Sequence, residues 1–87
     1  MRLFIYIFLV VIFSFKVNSE IINKIEIDGN NRISNSNIIL FGKINLNEDY
    51  DSNKINRTLK NLYETDFFEK INISIKNNIL FIKVQEN

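Results

Sequence analysis

The chain has 87 residues, 11 Lys and Arg against 10 Asp and Glu, and neither His nor Cys, a length with room for one small domain. Without Cys there is no disulfide framework and no thiolate nucleophile, and without His the commonest general base and metal ligand is missing. No two acidic residues are spaced so as to force a carboxylate pair into one buried site, so the composition predicts no enzyme, no cofactor and no metal.

Residues 1–19 have the layout of a signal peptide. Arg2 supplies a positive start, Leu3 to Phe15 is a run of thirteen residues in which only Ser14 is not strongly apolar, and Lys16 to Ser19 form a short polar tail. A helix crossing a bilayer needs roughly 20 apolar residues, and no stop-transfer pattern comes after this run. Val17 and Ser19 are small enough for the −3 and −1 positions of a signal peptidase site, so cleavage is expected between Ser19 and Glu20, with export of the chain from Glu20 onward. Losing Arg2 and Lys16 leaves 9 basic against 10 acidic residues, a net charge of −1. Charges so balanced and dispersed do not suit a phosphate backbone, and no nucleic acid is expected as a partner.

The chain after the leader reads as a domain. Ile21 to Asp28 is predicted as a first strand, with Ile25 and Ile27 on one face and Lys24 and Glu26 on the other. Gly29-Asn30-Asn31 stops it with residues that enter left-handed backbone cheaply. Ser34 or Ser36 caps a brief helix carrying Ile38, Ile39 and Phe41, and Gly42 stands where a helix C-terminus favours it. Asn45 to Asp49 reads as a polar loop. Asp51 or Ser52 then caps a longer helix, whose acidic start suits the positive end of its dipole. Ile55, Leu59, Leu62 and Tyr63 fall at i, i+4, i+7 and i+8, one stripe of about three turns, and this helix should end near Thr65-Asp66.

The period then changes to two. Ile71, Ile73 and Ile75 alternate with Asn72 and Ser74, and Asn77-Asn78 suits a two-residue turn with positive φ at both positions. If Lys76 and Ile79 flank that turn, Ile75 faces Leu80, Ile73 faces Ile82 and Ile71 faces Val84, all apolar. On the other face Asn72 meets Lys83 and Ser74 meets Phe81. A slip of one residue would scatter this agreement. The expected fold class is therefore α+β, in the order β-α-α-β-β, with two helices covering one face of a three-stranded mixed sheet. The first strand runs parallel to the third. The 68 residues after the leader bury only about 60% of their unfolded surface, which makes for modest stability.

Three stretches, in this order, resemble the POTRA domain family. Ile25-Glu-Ile-Asp-Gly-Asn-Asn-Arg-Ile33 is similar to the family's strand, Gly-Asn turn and Arg-Ile. Leu62-Tyr-Glu-Thr-Asp-Phe-Phe-Glu-Lys-Ile71 looks like its Leu-Tyr-x-Thr-Gly-x-Phe-x-x-Val signature, departing from it at Asp66, where the family has Gly. Ile79-Leu-Phe-Ile-Lys-Val-Gln-Glu86 is like the closing strand that ends in Val-x-Glu. A POTRA domain directly behind a signal peptide resembles the start of BamA-type outer-membrane protein assembly factors. That resemblance implies further periplasmic POTRA domains and a β-barrel in the outer membrane, with this chain ending about where a second POTRA domain would begin.

The resemblance also implies a mechanism: docking of unfolded outer-membrane protein precursors or partner lipoproteins by adding a strand to a sheet edge. With the third strand central, as in the family's strand order, Ile71, Asn72, Ile73, Ser74 and Ile75 become the candidate docking edge, although lysines such as the bracketing Lys70 and Lys76 more often protect an edge from aggregation than mark a docking site. Phe81, on the outer face, is the candidate apolar contact, for instance with an adjacent POTRA domain. Phe68 reads as core, Phe67 with it as a weaker surface candidate, and Arg32 as a solvated charge, a local cap or a partner contact. The alternative is a POTRA domain of a divisome-type or two-partner-secretion protein, again a protein-interaction module. The expected location is the periplasmic face of the outer membrane.

Overall fold

A computed structural model of the chain describes residues 20–87, and the expected signal peptide, residues 1–19, lies outside the described residues. The elements are β1 (Glu20–Ile22), β2 (Lys24–Asp28), α1 (Asn35–Phe41), β3 (Glu48–Tyr50), α2 (Ser52–Tyr63), β4 (Phe68–Lys76) and β5 (Ile79–Glu86). β2, β5 and β4 form a mixed sheet in that order, β2 parallel and β4 antiparallel to the central β5. The α+β class, the two helices and the central last strand agree with a POTRA-like fold.

The hairpin has the expected register. Asn77 and Asn78 take φ of 53° and 63°, the two positive values that match the turn to the right-handed twist of its strands. Ile75 is opposite Leu80, Ile73 opposite Ile82 and Ile71 opposite Val84. Leu80, Ile82 and Val84 are buried, together with Ile38 of α1 and Leu62 of α2, in one core beneath the sheet. Each such fully buried aliphatic side chain contributes about 1.5–3 kcal/mol. Ser34 is the cap of α1, its hydroxyl accepting from the Asn37 N–H, and Asp51 caps α2 by accepting from the Lys54 N–H at 2.8 Å.

Two expectations need correcting. The first strand is not continuous from Ile21 to Asp28, because the alternation changes phase at Asn23. Ile22 is fully buried, whereas Ile25 and Ile27 are the inward residues of β2. The stretch expected as a polar loop contains most of β3, which pairs antiparallel with β1 as a separate two-stranded ribbon, Ile22 opposite Glu48 and Glu20 opposite Tyr50. The physical reason is Tyr50. Its ring is buried at 1% exposure, its hydroxyl accepts from the Asn45 N–H at 3.1 Å, and the Lys54 ammonium lies 4.6 Å from its centroid while also pairing with Glu48.

Smaller differences concern the helix ends. α2 stops at Tyr63, and a turn through Thr65 and Asp66 comes after it. The positive φ after α1 is at Lys43 (53°), not at Gly42 (−77°). Gly42 serves packing, since a Cβ there would stand 3.0 Å from Ile44 Cδ1.

Candidate functional site

The candidate site is the free edge of β4, and the joint before it decides how that edge is presented. After α2, Asp66 takes φ of 62°, the left-handed conformation that Gly adopts at least cost. The chain then enters β4 through a bulge between Phe68 and Lys70. That extra residue explains how Phe68 and Ile71, three apart, both face the core, at 4% and 8% exposure. Phe68 is core as expected. Phe67 turns outward at 45% exposure and packs its ring 5.8 Å from that of Phe41.

Along β4, Ile71, Ile73 and Ile75 lie on the inward face, and Asn72 and Ser74 are exposed on the outer one. Ile73 and Ile75 are only half-buried, because nothing among the described residues continues the sheet beyond them. Ile55 and Leu59 of α2 are half-buried against the same core. β4 is nine residues long and the opposite edge, β2, is five.

The direction of the backbone groups is set by the turn. In a two-residue hairpin the flanking pair, here Lys76 and Ile79, exchanges both ladder hydrogen bonds, and pairs alternate from there. Ile75, Ile73 and Ile71 are thus non-bonded positions whose N–H and C=O point away from β5, out of the edge. Tyr63 corroborates this at Ile71: its hydroxyl accepts from the Ile71 N–H at 2.9 Å and sits 3.5 Å from the Ile71 carbonyl oxygen. The sequence placed Tyr63 in the core stripe of α2, yet it is 42% exposed and lends its hydroxyl to the edge. The signal available was a tyrosine at the last stripe position, where Leu or Phe would have packed as well.

Phe81 lies on the outer face in a shallow trough bordered by Glu26, Asp28, Asn72, Ser74 and Lys83. It is half-buried among these neighbours, so the candidate apolar contact is a recessed ring and not a protruding one. Arg32 is exposed, and its backbone belongs to a cap. The Glu86 carboxylate accepts from the backbone N–H groups of Asn31, Arg32 (2.8 Å) and Ile33 (3.3 Å). The Asn31 hydrogen bond does most to hold the Glu86 carboxyl below the ordinary glutamate value. Partial desolvation opposes it, and the Arg32 and Ile33 N–H groups and the Arg32 charge add to it.

Gly29 makes this approach possible. It has φ of 89°, and a Cβ on it would lie 2.1 Å from the Val84 carbonyl oxygen, a separation no side chain tolerates. The strand-turn and Val-x-Glu stretches, 55 residues apart at Asn31 and Glu86, are thereby joined.

None of the described helices is long and apolar enough to cross a membrane. No protein-family model matches the chain, and no curated protein matches it.

Proposed function

We propose that the chain is an exported POTRA-type docking module, the first periplasmic domain of a BamA-type outer-membrane protein assembly factor, and that it holds extended partner segments by strand addition to β4. The observation that carries this reading is the β4 edge, open from Ile73 to Lys76 among the described residues, with half-buried Ile73 and Ile75 on its inward side. Three further features support it: the Gly29 turn locked to Glu86, positive φ at Asp66 where the family has Gly, and the central position of β5.

The partners of such a module are unfolded outer-membrane protein precursors, assembly-machinery lipoproteins and an adjacent POTRA domain. The outer membrane itself is reached through a barrel beyond this chain. Backbone pairing recognises an extended segment with little regard to its sequence. Each backbone bond contributes a net of about 1 kcal/mol, and association itself is costly. A short segment is therefore held weakly and released readily, as suits passage of a precursor.

The test is site-specific photo-cross-linking in cells exporting the full chain. A photoreactive residue at Ser74, exposed beside the β4 edge, should trap newly exported barrel precursors, whereas one at Lys24 on β2 should not. Equal trapping at both positions, or none at Ser74, contradicts the reading.

A further inference from the structure

Part of the β4 edge is already occupied. The Tyr63 hydroxyl engages both outward-pointing backbone groups of Ile71, and the Ile71 side chain is buried while those of Ile73 and Ile75 are not. We propose that Tyr63 is a register stop: it closes the edge at Ile71, so that a partner strand adds only along Ile73–Lys76, and the segment that fits is short, apolar at alternate positions and acidic between them. This inference rests on the strand-addition reading above and gives that site a footprint and a ligand chemistry.

The ligand chemistry comes from the two faces of the edge. A strand laid beside Ile73 and Ile75 puts every second side chain on the inward face, where those two isoleucines are half-covered and Ile55 and Leu59 line the same core. Apolar residues are favoured at those positions. The intervening side chains fall on the outer face, where Lys76 of β4 and Lys83 of β5 are exposed, with Glu26 and Asp28 one strand further from the edge, on β2. Among the described residues neither Lys76 nor Lys83 is ion-paired. Glu69 and Lys70 of β4 both lie at the bulged end, away from Ile73–Lys76, and Glu69 accepts from the Gln85 side chain at 3.2 Å. Acidic side chains between the apolar ones would meet this positive rim, and basic ones would be repelled.

The stop is a matter of geometry. A partner strand reaching Ile71 would have to donate to its carbonyl and accept from its N–H, the two positions Tyr63 fills. Tyr63→Phe removes the oxygen and keeps the ring. The probes are end-blocked peptides of alternating Val and Glu, five and nine residues long, and a nine-residue Val-Lys control, read by amide hydrogen exchange and by binding titration on the isotope-labelled full chain. In the wild-type protein the Ile71 N–H should exchange slowly without peptide, and peptide should slow Ile73 and Ile75 only. The five- and nine-residue Val-Glu peptides should bind within about twofold of each other, because added residues find no free edge. In Tyr63→Phe the Ile71 N–H should exchange faster in the free protein, all three amides should be protected by the nine-residue peptide, and its affinity should rise about fivefold.

A length dependence in the wild type as steep as in the variant, or a Val-Lys peptide binding as well as Val-Glu, overturns the proposal while leaving strand addition standing. Absence of protection at Ile73 and Ile75 in both proteins overturns the docking reading and this inference together. The wild-type length series holds whether or not the variant folds.

Discussion

Glu86 closes the first turn of the domain, and its environment sets a pH dependence. Backbone N–H groups, Asn31 foremost, stabilise the carboxylate over the acid, so the folded value lies below the unfolded one. The unfolded chain then binds the proton more readily than the folded chain does. The stabilisation is fully present above the unfolded glutamate value and is lost as pH falls through the lowered folded value. Urea midpoints of the wild type and Glu86→Gln should therefore differ most near neutral pH, with the wild type the more stable, and converge on acidification. Two curves that stay parallel across the acid range would mean that the carboxylate's charge is not what the turn uses. The pairing was half legible from sequence: Gly29 marked a turn and Glu86 matched a family ending, but nothing along the chain says that residues so far apart meet. Only the parallel register of β2 and β5, which sets Asp28 opposite Lys83, brings them together.

At the scale of elements, the joint between α2 and β4 combines a good sequence signal with a local misfit. Asp66 holds φ of 62°, a conformation that costs a non-glycine residue about 1–2 kcal/mol and costs Gly nothing sterically, while Gly adds flexibility to the unfolded chain. Its structural contacts are made by its backbone: its N–H donates to the Tyr63 carbonyl at 3.1 Å, and its carbonyl accepts from the Asn87 side chain at 2.6 Å. Asp66→Gly should thus stabilise the domain by about 0.5–1 kcal/mol in chemical denaturation. A loss of stability would show that the carboxylate makes a contribution of its own. The hairpin was fully legible, since the alternation on each side of Asn77-Asn78 leaves one register that pairs isoleucines with apolar partners. The β1–β3 ribbon was not. Three-residue strands are too short to show a period, and Glu48-Asp49 has the composition of a loop. Its stability comes from Tyr50, whose burial depends on α2 and on the Asn45 backbone rather than on its neighbours in sequence.

Taken as a whole, the molecule buries one face of a small sheet and leaves the β4 edge open, with Tyr63 at one end and Lys76 at the other. The position of that edge was legible once β5 was expected in the centre. Its partial closure was not, because a hydroxyl on the last turn of a helix carries no sequence mark of what it reaches. The central claim is that partners are held through backbone pairing to β4, which separates strand addition from mere apolar contact. The most direct measurement is a titration of the full chain with two nine-residue Val-Glu peptides of identical side chains, one N-methylated at every second residue along one backbone edge and the other along the opposite edge. A single added strand pairs through one edge only. The peptide whose pairing edge stays free should bind like the unmethylated one and protect Ile73 and Ile75, and the other should lose binding at least tenfold. Equal binding by both peptides, or equal loss by both, would contradict docking by strand addition at β4.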